Sequence, residues 1–360
     1  MASVYDPFVP TRDASARAVD LLERLVAIPS VTGSEAAVVD FLAERYRAGW
    51  AVESIPVSSG RRNILIHRES PRVVLTTHAD TVPDHFPPRR EGRTLYARGA
   101  CDAKGSLAAM AAALELLGED SGDVGLLVLV GEERGSDGAL AANRAAPPGV
   151  EFVIGGEPTD NRFVLGSKGC LRIEARARGE AGHSSMARPG TSAIHQMLDF
   201  LSGLRGTSFA SHPVFGETTM NVGTLHGGSA PNVTAESARA EILFRTGEPV
   251  AKVLARVKVA AEGRVDYSVP YLSDPIFFRV PRGVPSQIVA FACDLPLLSA
   301  WGEPLLLGPG AIEDAHSLSE RVALEDVEEA VRIYANVARG LLAHGQDYLE
   351  PRNTSDRPFP

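Results

Sequence analysis

The sequence predicts an α/β protein in two parts: a mostly parallel sheet with helices on both faces, interrupted by an inserted α+β domain of ferredoxin-like order. Three observations carry this expectation. Up to about residue 166, short Leu-rich or β-branched runs alternate with helix-period segments, the pattern of a covered parallel sheet. Near residue 167 the period changes, because Leu171-Arg-Ile-Glu-Ala-Arg-Ala-Arg alternates strictly, as a strand with one wet face does. After about residue 280 the first pattern resumes.

Taken in order, residues 14–28 predict a helix, with Val19, Leu22, Leu25 and Val26 on one face and Glu23 and Arg24 on the other, stopped by Pro29. A second helix is expected over 34–46, built on Val38, Val39, Phe41 and Leu42. The apolar runs 64–66, 73–75, 126–130 and 152–154 read as buried strands, and the Ala- and Leu-rich stretch 106–117 as a closely packed helix. Within 167–279, a strand from Leu171, a helix over 192–204, strands over 219–225 and 238–244, a helix over 249–261 and a strand over 265–269 give the ferredoxin-like succession. Beyond it, 286–292 predicts a helix and 305–307 a strand. Val327, Ala330, Val331, Tyr334, Ala338 and Leu341 form the stripe of a final core-facing helix. The polar, Pro-containing tail 350–360 is expected to be loose. The expected domains are therefore 1–166 with 280–360, and 167–279.

At 360 residues, 44% hydrophobic and 22% charged, the chain has the make-up of a globular enzyme with a sizeable core. A net charge of -9 without any Lys/Arg block argues against nucleic acid as a partner. Cys101, Cys170 and Cys293 are too few and too scattered for a disulfide framework, which suits a reducing compartment and a cytoplasmic location. The start M-A-S-V-Y-D-P-F-V-P lacks the charged and apolar regions of a secretory signal, and no apolar run is long enough to span a membrane.

The chemistry resides in carboxylates and histidines placed just after apolar runs. They are His78 and Asp80 in T-H-A-D-T-V-P, Asp102 in R-G-A-C-D-A-K-G, Glu132-Glu133, Glu157 in G-G-E-P-T, and His316 in G-P-G-A-I-E-D-A-H-S. Ligands of open α/β sheets collect at the carboxyl ends of strands, so if these runs share one sheet the groups converge. In H-x-D the two-residue spacing returns both side chains to one side, where the carboxylate can orient the imidazole for a metal. Asp102, between Gly99 and Gly105, can bridge two cations or simply cap the following helix. Two adjacent glutamates after a buried strand repel unless something positive offsets them; a metal can hold one and leave the other as a base, or both can be exposed loop residues. His183 in E-A-G-H-S-S can stabilise an oxyanion or be a solvated loop histidine. Asn232 in L-H-G-G-S-A-P-N-V-T and Arg245 at the end of A-R-A-E-I-L-F-R can clamp a carboxylate, although Arg245 alone reads as a surface arginine. The whole inventory can hold two divalent metals with one carboxylate left over, which points to a hydrolase attacking with activated water.

In this order the motifs resemble those of the di-zinc amidohydrolases that include acetylornithine deacetylase, succinyl-diaminopimelate desuccinylase, carboxypeptidase G and the aminoacylases. The match runs from about residue 14 to 342. The resemblance implies that Asp102 bridges two zinc ions, with cobalt able to substitute, that His78 and Glu157 complete one site, and that Glu133 and His316 complete the other. It implies Glu132 as general base, Asp80 as the support of His78, and Asn232 and Arg245 as binders of the substrate carboxylate. His183 would reach the active site of the partner subunit of a homodimer, and 167–279 would be the lid and dimerisation domain. Within the family the stretches L-H-G-G-S-A-P-N and A-G-H-S-S look most like acetylornithine deacetylase. The expectation is therefore deacetylation of N-acetylornithine in arginine biosynthesis. Acetylcitrulline, a lysine or ornithine held on a carrier protein, succinyl-diaminopimelate and dipeptides are the alternative substrates. The alternative of another class is a catalytically dead metal-binding homologue, which loss of Glu132 or of any ligand would favour; all of these residues are present. Ser317 stands where the family often has Thr, Leu243 where it often has Asp, and Asp294 keeps the family's acid among unfamiliar neighbours.

Overall fold

Helices α1 (Arg12–Val26) and α2 (Ala36–Tyr46) open the fold, and their apolar stripes, Leu21, Leu22 and Leu25 on one and Val38, Val39 and Leu42 on the other, are fully buried. The computed structural model describes residues 12–118, 122–186, 188 and 190–351. The expectations for the N-terminal leader and for most of the tail fall outside that range. The hairpin β1 (Ala51–Ser58) and β2 (Arg61–His67) follows, then β3 (Val73–His78), α3 (Lys104–Gly118), β4 (Val124–Leu129), α4 (Asp137–Arg144) and β5 (Phe152–Gly155). β3 pairs in parallel with β4 and with β5, whereas β2 runs antiparallel to both β4 and β1. Every residue of β3, β4 and β5 is buried. These strands are covered on both faces, so their apolar runs are continuous rather than alternating.

The chain then builds a second compact unit from Gly166–Phe277. It contains β6 (Gly169–Arg178), α5 (Ala193–Arg205), β7 (Thr219–Gly227), β8 (Ser237–Thr246), α6 (Val250–Ala261) and β9 (Asp266–Ser273). The sheet order β7-β8-β6-β9, antiparallel throughout, is the ferredoxin-like arrangement. The period-two pattern of β6 has a physical outcome: Leu171, Ile173, Ala175 and Ala177 join a core with Phe200, Phe244 and Val253 beneath α5 and α6. Arg172, Glu174, Arg176 and Arg178 alternate with them and point to the other side.

On its return the chain adds β10 (Glu303–Leu306) in parallel to β5, completing the order β1-β2-β4-β3-β5-β10. α7 (Leu324–His344) packs with α1 and α3 over one face, and α4 lies against β1, β2 and β4 on the other. α3 is buried at every residue except Glu115, and its alanines allow the close approach of α1 and α7. One sequence expectation fails here: Ser286–Val289 is a strand and not a helix. Ile288 and Val289 are adjacent and β-branched, which favours a strand, and the apolar run is too short to show a helical period. The segment Ile288–Ala292 also groups with the second unit, while Phe278–Gln287 and the chain from Cys293 onward group with the first. Among the described residues no helix is long and apolar enough to cross a membrane.

Candidate active site

In the first unit the carboxyl ends of three parallel strands meet two loops. β3 ends on His78, with Asp80 just beyond it. β4 leads through Gly131 into a one-turn 3-10 helix that carries Glu132 and Glu133. Gly131 has φ +83°, and a side chain there would run into Asp137 and Arg61, so the turn needs glycine. β5 leads to Glu157, and the loop ahead of α3 carries Asp102. The loop after β10 carries His316, itself at φ 59°. Gly310 of that loop lies so close to Cys101 that a Cβ would strike its Sγ, which brings the His316 loop against the Asp102 loop.

Asp102 lies between two histidines. Asp102 Oδ1 lies 3.1 Å from His78 Nε2, and Asp102 Oδ2 lies 3.2 Å from His316 Nε2. His316 Nε2 is also 3.1 Å from Glu133 Oε2. Two sets of ligand atoms result, His78–Asp102–Glu157 and Asp102–Glu133–His316, each within 4.8 Å of one another and sharing Asp102. His78, Asp102 and Glu157 are buried, while His316 is exposed and opens its set to solvent.

Electrostatics test whether this cradle fits cations. His78 Nδ1 lies 3.0 Å from the Asp80 carbonyl, which can only accept, so Nδ1 carries the proton. Nε2 then points its lone pair at a carboxylate oxygen, an arrangement that repels unless a proton or a metal lies between them. Burial alone would lower the His78 pKa, but hydrogen bonds to Asp102 and Asp80 raise it well above normal. Contacts with Asp102 and then Glu133 push His316 up to about 10. Burial would raise Asp102, yet the bonds from His316 and His78 hold it well below the usual carboxylate range. Glu132 and Glu157 are raised well above normal by burial, with other carboxylates adding to the shift, and burial pushes Asp294 up to about 7. None of these three forms an ion pair among the described residues. A site this rich in carboxylate, with N and O donors in two groups sharing one acid, fits two divalent cations.

Asp80 does more than its place in H-x-D implied. Its carboxylate is 3.5 Å from His78 Nδ1, and it accepts three shorter bonds from the glutamate turn. Oδ1 accepts the backbone N–H groups of Gly131 (2.9 Å) and Glu132 (3.1 Å), and Oδ2 accepts that of Glu133 (3.2 Å). Other supports escaped the sequence reading. Buried Glu320 accepts the N–H groups of Cys101 and Asp102 at 3.1 Å each and pairs with buried Arg98 at 2.7 Å, fixing the loop that carries Asp102. Asn63 accepts the Val130 N–H and donates to the Gly138 carbonyl, clamping both sides of the glutamate turn. The only sequence signal for any of these is the pair of charges, Arg98 and Lys104, that flank an otherwise small-residue loop.

The remaining predicted residues belong to the second unit. His183 bridges to Val233, and the Ser184 N–H donates to the Asn232 carbonyl, so His183 and Asn232 lie on neighbouring exposed segments. The Ser185 N–H donates to His183 Nδ1 at 3.2 Å, which leaves the ring proton on Nε2 and makes that exposed nitrogen a donor. Arg245, on β8, is paired across the sheet with Cys170 and Thr219, and forms no ion pair among the described residues.

A profile of peptidase family M20/M25/M40 matches residues 74–340. The chain belongs to that family. It is a hydrolase of the M20 type, and the fold described above is the M20 fold. A peptidase M20 domain-containing protein of Schizosaccharomyces pombe is 35% identical over 88% of this chain and 82% of its own length. A protein of Aspergillus clavatus named as a probable carboxypeptidase is 34% identical over 88% of this chain and 81% of its own length. A tripeptidase from Staphylococcus aureus superposes with a TM-score of 0.76 at 22% identity, covering 91% of this chain and 98% of that one, a likeness of fold.

Proposed function

We propose that this M20 protein hydrolyses the amide that acylates the α-nitrogen of a small amino acid, releasing the amino acid and a carboxylate. The observation that carries the reading is Asp102, whose two oxygens face two histidines while Glu132 stands unpaired beside them. Two zinc ions, or cobalt in their place, would be held by His78, Asp102 and Glu157 and by Asp102, Glu133 and His316; when bound, they supply the positive charge that acidifies water and polarises the scissile carbonyl. Glu132 takes the proton of the attacking water as its oxygen bonds to the carbonyl carbon. It then returns that proton to the nitrogen as the C–N bond breaks. His183 donates from Nε2–H to the oxyanion, in the active site of the partner subunit of a homodimer, and Asn232 with Arg245 holds the substrate carboxylate.

N-acetylornithine is the substrate that the motifs favour, which would place the protein in arginine biosynthesis in the cytoplasm. A second reading is cleavage of the C-terminal residue of a short peptide. It is supported by relatives named as carboxypeptidases and by the tripeptidase fold neighbour. Both reactions release an amino acid with a free carboxylate. A carrier-bound acyl substrate belongs to the same chemistry. The test is metal content paired with turnover of Nα-acetylornithine, Nα-acetylcitrulline, Nα-acetyllysine, N-succinyl-diaminopimelate, a dipeptide and a tripeptide. Two zinc ions per chain and chelator-sensitive hydrolysis of one panel member are expected; no metal and no turnover would overturn the reading. His183→Ala is expected to lower kcat on that substrate by about a hundredfold, in the range for losing an oxyanion donor, with metal content unchanged. An unchanged kcat would remove His183 from the reaction.

A further inference from the structure

We propose that Thr32 is a positioning residue for the turn that carries Glu132 and Glu133. The proposal rests on reading Glu132 as the base and Glu133 as a ligand. Thr32 Oγ1 donates to Asp80 Oδ2 at 2.7 Å, the shortest of the four bonds that the Asp80 carboxylate accepts from the turn and from Thr32. It is also the only one of the four that comes from outside the turn. Without it, Oδ2 keeps only the 3.2 Å bond from the Glu133 N–H, and the carboxylate loses its shortest bond, the one that ties it to the Thr32 segment.

Thr32 can act as a fixed point because its own segment is laced to the end of β3. The Thr32 N–H donates to the Thr81 carbonyl (3.2 Å) and the Thr81 N–H to the Ser30 carbonyl (3.0 Å). The Ser30 hydroxyl donates to the Ala79 carbonyl at 2.7 Å, and Val31 bridges Thr81 in parallel. The same connection between α1 and α2 is tied to the loop of the bridging acid. Buried Lys104, two residues after Asp102, donates from Nζ to the carbonyls of Leu25 (3.0 Å) and Ile28 (2.8 Å). One short connection, distant in sequence from every ligand, therefore braces the His78 strand end, the Asp102 loop and, through Asp80, the glutamate turn. A base displaced by a fraction of an ångström loses its line to the reacting water, and small misplacements are costly in rate.

The experiment compares Thr32→Val and Thr32→Ser in the full chain, loaded with two equivalents of zinc and assayed on the best panel substrate. Thr32→Val should lower kcat about tenfold with KM unchanged, the loss of one hydrogen bond to a charged group, and Thr32→Ser should restore most of it. Amide hydrogen exchange of residues 131–133 in the metal-free protein should quicken in Thr32→Val and not in Thr32→Ser. Wild-type kcat and wild-type exchange in Thr32→Val would overturn the link, as would an equal loss in both variants. If Thr32→Val does not fold, Asp80→Asn replaces it, because the amide NH2 then faces either the N–H groups of Gly131 and Glu132 or the Glu133 N–H and the Thr32 hydroxyl. Normal exchange at 131–133 in that variant would overturn the link as well. A wild-type protein that hydrolyses no panel amide, with exchange still quickened in Thr32→Val, sinks the proposed reading of Glu132 and leaves the link standing.

Discussion

Glu132→Gln should bind two zinc ions as the wild type does and lose turnover by a factor of about 10²–10⁴, the usual contribution of a positioned general base. The expectation follows from the contrast between two neighbouring glutamates. Glu133 lies 3.1 Å from His316 within one ligand set, whereas Glu132 belongs to neither set and forms no ion pair among the described residues. Burial and the nearby Glu157 and Asp294 raise its pKa, offset in part by His78. A raised carboxylate pKa suits a group that must both take a proton and give it back at neutral pH. The working form is the ionised one, and bound cations oppose the upward shift, so wild-type kcat/KM should fall at acid pH as Glu132 takes up a proton. Glu132→Gln should lack this acid limb and show a small residual rate that does not depend on it. The isosteric amide keeps the volume and cannot accept the proton, so a folding defect is not expected. Turnover within about threefold of wild type, at full metal occupancy, would mean that another group is the base.

Much of the placement of this candidate site was legible in the sequence because strand ends are. His78, Glu132-Glu133, Glu157 and His316 each follow an apolar run, and in a parallel sheet such runs end on one edge. The period change at Leu171 was enough to separate the ferredoxin-like unit, because β6 has one face on α5 and α6 and one face wet. What escaped has a common physical character. β1 buries only Ile55, so it carries no apolar signature, and α4 is two turns of small residues. Ser286–Val289 was too short for periodicity to decide. The supports Thr32, Asn63, Arg98 and Glu320 act through a few hydrogen bonds between segments far apart in the chain, and no local pattern encodes a partner at that distance. Asp80 shows the limit most clearly. Its spacing from His78 suggested one task, but the three backbone N–H groups it accepts come from residues about fifty positions later and became visible only when β3 and β4 lay side by side.

Asp102→Ala should abolish binding of both ions, and with it all turnover, while Glu133→Ala should weaken only one. Asp102 is the one residue common to both ligand sets among the described residues, and each of its oxygens faces a different histidine. Glu133 serves a single set, so its removal leaves His78, Asp102 and Glu157 intact. The difference should extend to stability. Without metal, the wild type holds Glu132, Glu157 and Asp294 close together, each shifted upward by burial and by its acidic neighbours. Ligand that binds only the folded state stabilises it by about 4 kcal/mol at a thousandfold excess over Kd, so zinc should raise the wild-type Tm by several degrees. In Asp102→Ala the same zinc should leave Tm where it was. Metal content by elemental analysis and Tm with and without chelator measure both effects on one preparation. An Asp102→Ala protein that keeps one zinc at wild-type affinity would show that the sites are separable. The carboxylate between the histidines would then be a hydrogen-bonding spacer and not a bridge.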